Sequence, residues 1–599
     1  MTSHTARRLR LVLTAALVAS TAGITLGAND AASASTPRVL RVGTWHGQAG
    51  PYRTIQSAVD AAKPGDWVLV APGDYHERAD YTSHKPDGGE SGGGVWIAVR
   101  DLHLRGMNRS SVIVDGTRPG ARPCSAAPAD QLFGPNDKTG KPLGRNGVEV
   151  YKADRVSVDN LTVCNYLAGT SSSGNEVWWN GGDGSGTVGG WGFSGSYLSA
   201  TSTFYRDEAS AAQYGIFSSN WSGGTWDQTY ASNFNDSGYY IGACGQVCNQ
   251  TVNHAWAEYN ALGYSGSNSG GSLVIENSEF DNNEDGFDTN SQNGDNPPPQ
   301  NGACPGGATS PITHTHSCWV FIHNYVHDNN NPNVPAKGSA AAGPVGTGLS
   351  ISGGRNDTVM DNRFENNGAW GVIFVPYPDS GAPCTGGTLT PAACLYDESG
   401  LALTGNTFKN NGFFGNPTNA DFAEANLEPG PSNCFVGNTE AGGGSPTSSP
   451  PTLQTTTTTC GGTVPPDLNP AFVSEVACDS QSISIGPVPG SALCLPGAKY
   501  PRRTHVAMRP LPRGLASMPD PCAGVPANPW CPHGAGARAL SASPQGGATA
   551  VLPATGWGTR AATVGLCLLL ASGVGGWLRR RRSGTPGIPT VGRLRGARS

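Results

Sequence analysis

The stretch Thr54-Ile55-Gln56-Ser57-Ala58-Val59-Asp60-Ala61-Ala62-Lys63-Pro64-Gly65-Asp66-Trp67-Val68-Leu69-Val70 decides how the rest of the chain is read. Ile55, Ala58, Val59 and Ala62 stand at i, i+3, i+4 and i+7, which is one face of a short helix. Pro64-Gly65 ends it. The apolar run Trp67-Val68-Leu69-Val70 then reads as a buried strand, and Pro72-Gly73-Asp74-Tyr75 as a turn.

Downstream lies a repeat: Asn, one or two residues, an aromatic, one residue, then a pair of Asn or Asp. Copies are Asn233-Phe234-Asn235-Asp236, Asn277-Ser278-Glu279-Phe280-Asp281-Asn282-Asn283, Asn362-Arg363-Phe364-Glu365-Asn366-Asn367 and Asn406-Thr407-Phe408-Lys409-Asn410-Asn411, with weaker copies at Trp256 and Val326. Large residues at 234, 256 and 280 recur every 22 to 24 positions, a period typical of stacked repeats. The asparagines suit tight turns with left-handed φ and hydrogen bonds to the coil above. Composition agrees. The 599 residues include 85 Gly and 46 Pro, too many for a helical bundle, while 14 Trp, 17 Tyr and 16 Phe suffice for a large core.

The opening stretch closely resembles the start of right-handed parallel β-helix proteins of the pectate-lyase-like superfamily. The resemblance implies an all-β fold, a right-handed parallel β-helix over 35–440, with the short helix plugging its open end. A Ser/Thr/Pro-rich stalk is expected over 441–551, with a Cys-bearing segment, 460–531, that is either a stapled module or a wrap along the solenoid.

The ends read as addresses. Arg7, Arg8 and Arg10, an apolar run over 11–27 and Ala32-Ser33-Ala34 form a secretory signal over 1–34. Leu552-Pro553-Ala554-Thr555-Gly556, an apolar stretch and four arginines, 579–582, resemble the cell-wall sorting signal of Gram-positive surface proteins, with a tail over 583–599. The resemblance implies that a sortase cuts between Thr555 and Gly556 and joins Thr555 to peptidoglycan. An ordinary single-span anchor is the alternative, and it also places the protein outside the cell. Membrane contact is expected only through the signal and this span, before processing. Removing both ends takes away eleven arginines and one aspartate, moving the formal net charge from −6 to −16. Such a surface repels nucleic acid, and it repels acidic polysaccharides unless a divalent cation bridges the two. Fourteen of the 15 cysteines remain, an even number in an oxidising compartment. Plausible pairs are Cys244 with Cys248, Cys304 with Cys318, and Cys384 with Cys394.

The first chemical candidate is Asn283-Glu284-Asp285-Gly286-Phe287-Asp288. It resembles the calcium-binding element of a pectate lyase family on the same fold. That resemblance implies Ca²⁺ ligands at Glu284, Asp285 and Asp288, with Asn260 where the family has an Asp one coil earlier; hard carboxylate oxygens suit Ca²⁺. The family's basic lysine aligns with Ser350 in Gly348-Leu349-Ser350-Ile351-Ser352-Gly353-Gly354. Elimination from a uronate needs a base, and Lys337 or Arg355 are the substitutes at hand. Trp178, Trp179 and Trp191, in a Gly-rich region, either stack on sugar rings or fold under a loop. His314, His316, His323 and His327 read as surface or stacked residues rather than a transition-metal site. A glycosidase is the other catalytic option: Asp281, Asp285 or Asp288 paired with an acid such as Glu258 on a neighbouring coil. The chain carries no nucleophile elbow, phosphate loop or nucleotide fingerprint. The expected protein is secreted and wall-anchored and binds polysaccharide. It is either a lyase or hydrolase, or a non-catalytic adhesion, binding or structural module.

Overall fold

In the three long sheets strands pair not with their sequence neighbours but with the strand one coil later. Val39–Val42 pairs in parallel with Trp67–Val70, which pairs with His103–Gly106, and the series continues to Cys434–Val436 in a 12-stranded first face. A second face of 11 strands runs from Gly73–Tyr75 to Thr439–Glu440, and a third, also of 11, from Gly93–Ile97 to Ser448–Ser449. Each full coil gives one strand to each face, which defines a parallel β-helix. It winds right-handed, the sense taken by nearly all crossovers between parallel strands. The computed structural model describes residues 36–78, 93–182, 184, 186–244, 247–267, 269–290, 319–338, 340–378, 388–389, 394–426, 430–431, 433–458, 463–464, 467, 469–480 and 497–533. The chain divides into Met1–Pro37 and Arg38–Ser599, and the β-helix belongs to the second unit. The secretory signal, the sorting signal with Thr555 and Gly556, His314, His316, Cys304, Cys318 and Cys384 lie outside the described residues.

The asparagine pairs divide their work. The first member takes the left-handed turn: φ is 54° at Asn282, 57° at Asn366 and 52° at Asn410. The second points inward and joins a ladder. Asn260, Asn283, Asn329, Asn367 and Asn411 form one ladder, each Oδ1 accepting from the backbone N and Nδ2 of the rung before at 3.0–3.2 Å. Asn324, Asn362, Asn406 and Asn438 form another on the same plan. The first ladder follows the second-face strands and the other precedes them. These strands are only three residues long, as in Tyr325–His327, Arg363–Glu365 and Thr407–Lys409. Each is therefore clamped at both ends by buried, saturated side chains.

The interior is filled in register. Phe280, Val326, Phe364 and Phe408 stack under the second face, and Tyr264, Phe287, Leu349, Val372 and Phe422 under the third. The Tyr264 and Phe287 rings stack nearly parallel, 4.2 Å apart. Each such side chain contributes about 1.5–3 kcal/mol by burial. Gly286 stands at a close approach of two coils: a Cβ there would come within 2.5 Å of the Gly348 carbonyl oxygen, and one at Gly348 equally close to that of Gly371. Two glycines of the lyase-like motifs thus answer to coil packing.

The capping helix is Ile55–Ala61, with Thr54 accepting from Ser57 N at its start. The buried Glu77 carboxylate accepts from Ile55 N and Gln56 N, filling two donors that a helix start leaves open. Ile55, Ala58 and Val59 enter the core.

The far end departs from the expected stalk. Ser448–Ser449 pairs with the third face and Leu453, in the short helix Leu453–Thr456, joins the core, so these residues close the last coil. The Ser and Thr content misled because the last rung needs side chains that satisfy open backbone groups; Thr447 Oγ1 does this for Asp421 N. Beyond it, helix Pro470–Asp479 packs Phe472 on Trp370. Residues 497–533 then run back along the solenoid as a strap. They bond to Asn333, Asn233 and Asn160 in turn and end at the first coil, where Trp530 Nε1 donates to Gln48 O. Of the two readings of the Cys-bearing segment, its described part is a wrap. Disulfides join Cys124–Cys164, Cys244–Cys248 and Cys522–Cys531. Among the described residues no helix is long and apolar enough to cross a membrane.

Candidate functional site

The implied calcium set is only partly assembled. Asp285 and Asp288, on third-face strand Asp285–Asn290, converge on Ser350 of the next coil, whose Oγ lies 2.9 Å from Asp285 Oδ2 and 2.7 Å from Asp288 Oδ1. One hydroxyl carries one proton, so one of these contacts requires a protonated carboxyl or a shared cation. Burial, then the Asp288 charge, pushes the Asp285 carboxyl well above the usual range. Glu284 does not join them. Its carboxylate is fully buried with both oxygens unpartnered, and the charges it feels are those of Arg503, Asp285 and Asp479. Asn260 is spent in the ladder: its Oδ1 accepts from Phe234 N and its Nδ2 donates to Asn283 Oδ1. The coil geometry of Asn260 thus corrects its reading as a ligand.

Neither substitute base reaches Ser350. Lys337 donates its backbone N to Asn235 O and its charge acts on Asp236, two coils toward the N terminus from Asp285. Arg355 lies in the turn after Ser352 with Nε 3.4 Å from Asp397 O. The tryptophans separate by strand parity. Trp179 is core, with no exposed surface, Trp178 faces outward but is buried against Phe217 at 5.0 Å, and Trp191 is 54% exposed.

The second face gathers what the motifs did not. Its outward residues form two rows in strict register. One is Tyr230, Trp256, Glu279, Tyr325, Arg363, and the other is Ser232, Glu258, Asp281, His327, Glu365, Lys409. Glu258 and Asp281 are partners on adjacent strands. Tyr230 Oη donates to Glu258 Oε1 at 2.7 Å, and Trp256 Nε1 to Asp281 Oδ1 at 2.7 Å. His327 stacks on Tyr325 at 3.9 Å and is gripped by Glu279 (3.0 Å) and Asp328 (2.8 Å). Glu365 pairs with both Arg363 and Lys409. His323 is an exposed turn residue with φ 56°.

Electrostatics sort this row into roles. Burial, reinforced by the Asp281 charge, raises the Glu258 carboxyl to about 7. Burial raises Asp281 to about 6, although His327 and Trp256 pull the other way. Burial opposes the charge on His327, but its bonds to Asp328 and Glu279 win and raise it to about 9. One ligand atom each from Glu279, Asp281 and His327 lies within 4.8 Å of the others. The charged imidazole already occupies the cation's place there. Glu258 is therefore a carboxylic acid near neutral pH beside a more readily ionised Asp281, with aromatic rings alongside. The signal in the sequence was the triplet of each repeat: Trp256-Ala257-Glu258, Glu279-Phe280-Asp281, Tyr325-Val326-His327 and Arg363-Phe364-Glu365 align their outer members on one face.

These shifts have a consequence for stability. Burial also raises Glu149, Asp236 and Glu424 to about 7. A carboxyl raised in the folded state lends stability that is complete below its unfolded pKa near 4 and is lost as pH climbs through the folded value. Each of the five contributes on the order of 1–3 kcal/mol. The unfolding midpoint is expected to fall between pH 5 and pH 8 in scanning calorimetry. A midpoint that rises over that interval contradicts these assignments.

No family model matches the chain, and neither does any curated protein. Solved structures do. The A-module of a mannuronan C-5 epimerase of Azotobacter vinelandii is 14% identical, with a TM-score of 0.38 over 64% of this chain and 90% of that one. A family 28 exopolygalacturonase of Yersinia enterocolitica is 12% identical, with a TM-score of 0.36 over 68% and 75%. A pectate lyase is 14% identical, with a TM-score of 0.30 over 69% and 79%. These are likenesses of chain trace; the fold rests on the sheet order described above.

Proposed function

We propose that this chain is a secreted, wall-anchored polysaccharide hydrolase acting through Glu258 and Asp281. The observation that carries the reading is the pairing of these two carboxyls on adjacent rungs, raised to about 7 and 6, beside Tyr230 and Trp256. Neighbouring strands lie about 4.8 Å apart, close to the ~5–5.5 Å between carboxyls of a retaining pair. In this reading protonated Glu258 gives its proton to the leaving glycosidic oxygen as Asp281 attacks the anomeric carbon and the glycosidic C–O bond breaks; ionised Glu258 then takes a proton from the water that displaces the sugar from Asp281. Tyr230 and Trp256 hold the two carboxyls in place through their hydrogen bonds. Elimination is disfavoured because Ser350 stands where a base is needed and neither Lys337 nor Arg355 adjoins it. Export through the N-terminal signal and attachment to peptidoglycan through Thr555 belong to the same proposal.

Calcium has a place in this reading at Asp285, Asp288 and Ser350, whose oxygens converge, without Glu284 or Asn260. There a bound cation supplies charge compensation that lets both aspartates stay ionised. The test is incubation of the secreted protein with a panel of polysaccharides, with calcium or with chelator. New reducing ends without unsaturated uronate absorbance sustain hydrolysis. Unsaturated product sustains elimination instead, and retention on a polymer without product leaves a non-catalytic binder. Loss of thermal stability on chelation, absent in Asp285→Asn, checks the calcium place.

A further inference from the structure

The strap does not lie flat on the solenoid. Between its contacts at Asn233 and Asn160 it stands off the N-terminal half of the second face, leaving a cavity of about 360 Å³. Arg109, Thr162 and Ser199 line the cavity from the solenoid, and Leu511, Arg513 and Leu515 from the strap.

Arg109 is 3% exposed. Its Nε donates to Ser199 Oγ at 2.8 Å, Nη1 to Ala516 O at 2.9 Å and Nη2 to Leu198 O at 2.5 Å. All three partners are neutral. A guanidinium has five N–H donors, so two remain. Burial lowers its pKa to about 10, and no carboxylate among the described residues pairs with it. Arg105, which holds the same strap through the carbonyls of Pro521 and Ala523, makes the contrast. It is similarly buried but has Asp159 as counter-ion at 3.2 Å. The strap does not supply the missing charge to Arg109: over 497–533 its one acidic residue, Asp520, accepts from Cys522 N, and it carries Lys499, Arg502, Arg503, Arg509 and Arg513. A buried cation without a counter-charge is costly, and here a second arginine on the roof adds to it.

We propose that this cavity is a binding site for a small carboxylate or comparable oxyanion, held between Arg109 and Arg513. The two spare Arg109 donors and the Ser199 hydroxyl, whose proton is not spent on Arg109, face the anion, while Thr162 holds the Arg109 backbone through its carbonyl and Leu511 and Leu515 shelter a short apolar portion. The site is distinct from the Glu258 and Asp281 pair and does not depend on its chemistry.

The test is calorimetric titration of the full secreted chain at constant ionic strength with propionate, phosphate, sulfate and neutral propionamide. Thermal unfolding is followed in parallel, since a ligand that binds only the folded state raises the midpoint. Saturable binding of propionate is expected, at least tenfold weaker in Arg513→Gln and lost in Arg109→Gln, with no response to propionamide. Phosphate or sulfate bound with the same dependence on both arginines sustains the site and assigns it to an inorganic anion. Should Arg109→Gln not fold, Arg513→Gln and Ser199→Ala decide. Absence of saturable binding by every anion, or affinities unchanged in the variants, overturns the proposal.

Discussion

Replacing Asp281 by Asn is expected to lower the rate of polymer cleavage by 10²- to 10⁴-fold, the usual loss when a positioned carboxyl is removed. Glu258→Gln is expected to do the same on substrates with poor leaving groups and much less on those whose leaving group departs without a proton. That split separates donor from nucleophile: a merely structural Glu258 would lose rate equally on both. Both substitutions keep shape and remove a carboxyl that prefers to be neutral when buried; Glu258→Gln keeps the bond from Tyr230, so its stability at pH 8 should be unchanged or slightly raised, whereas Asp281→Asn keeps only one of the bonds accepted from Trp256 and Asn282, and the two effects should roughly cancel. The wild-type rate should follow a bell in pH with limbs near 6 and 7, set by Asp281 and Glu258. Full activity in Asp281→Asn would remove the hydrolase reading.

The second large effect lies inside the coil. Asn329 accepts from Asn283 N and Nδ2 and donates to Phe280 O and Asn367 Oδ1. Asn329→Ala removes four buried hydrogen bonds, each worth about 0.5–1.5 kcal/mol, and leaves Asn283 N without its acceptor, so a loss of at least about 2 kcal/mol is expected. Asn410→Gly is the control. Its φ of 52° suits glycine, and it loses one exposed bond to Asn366 Oδ1, so its change should stay below about 1 kcal/mol. The two variants differ in which member of an asparagine pair they remove. Denaturant unfolding followed by circular dichroism compares them, and equal midpoints would contradict the ladder account.

The coil architecture was legible because it rests on local rules. Helix Ile55–Ala61 follows from apolar spacing, and the repeat from turn chemistry. The site was less so. Glu284, Asp285 and Asp288 are adjacent in sequence, yet a strand sends neighbours to opposite sides and a tight turn redirects them, so Glu284 parts from the other two. Glu258 and Asp281 are 23 residues apart and meet only through inter-coil register. A period read loosely from aromatic positions gives the fold before it gives that register. The strap was legible only as one of two readings of the Cys-bearing segment, and for a different reason. Residues 497–533 have no periodicity of their own, because their partners are turn asparagines hundreds of positions earlier.

That strap also decides how the molecule carries load. Residue 533 ends beside the first coil, where Trp530 meets Gln48 and the Cys522–Cys531 loop rests against Trp67. Tension applied from beyond that point is delivered to the plugged mouth of the solenoid and shared along the bonds to Asn160, Asn233 and Asn333. It therefore reaches the last coil only after those bonds, so the plugged end and not the final turn is the first to feel a pull.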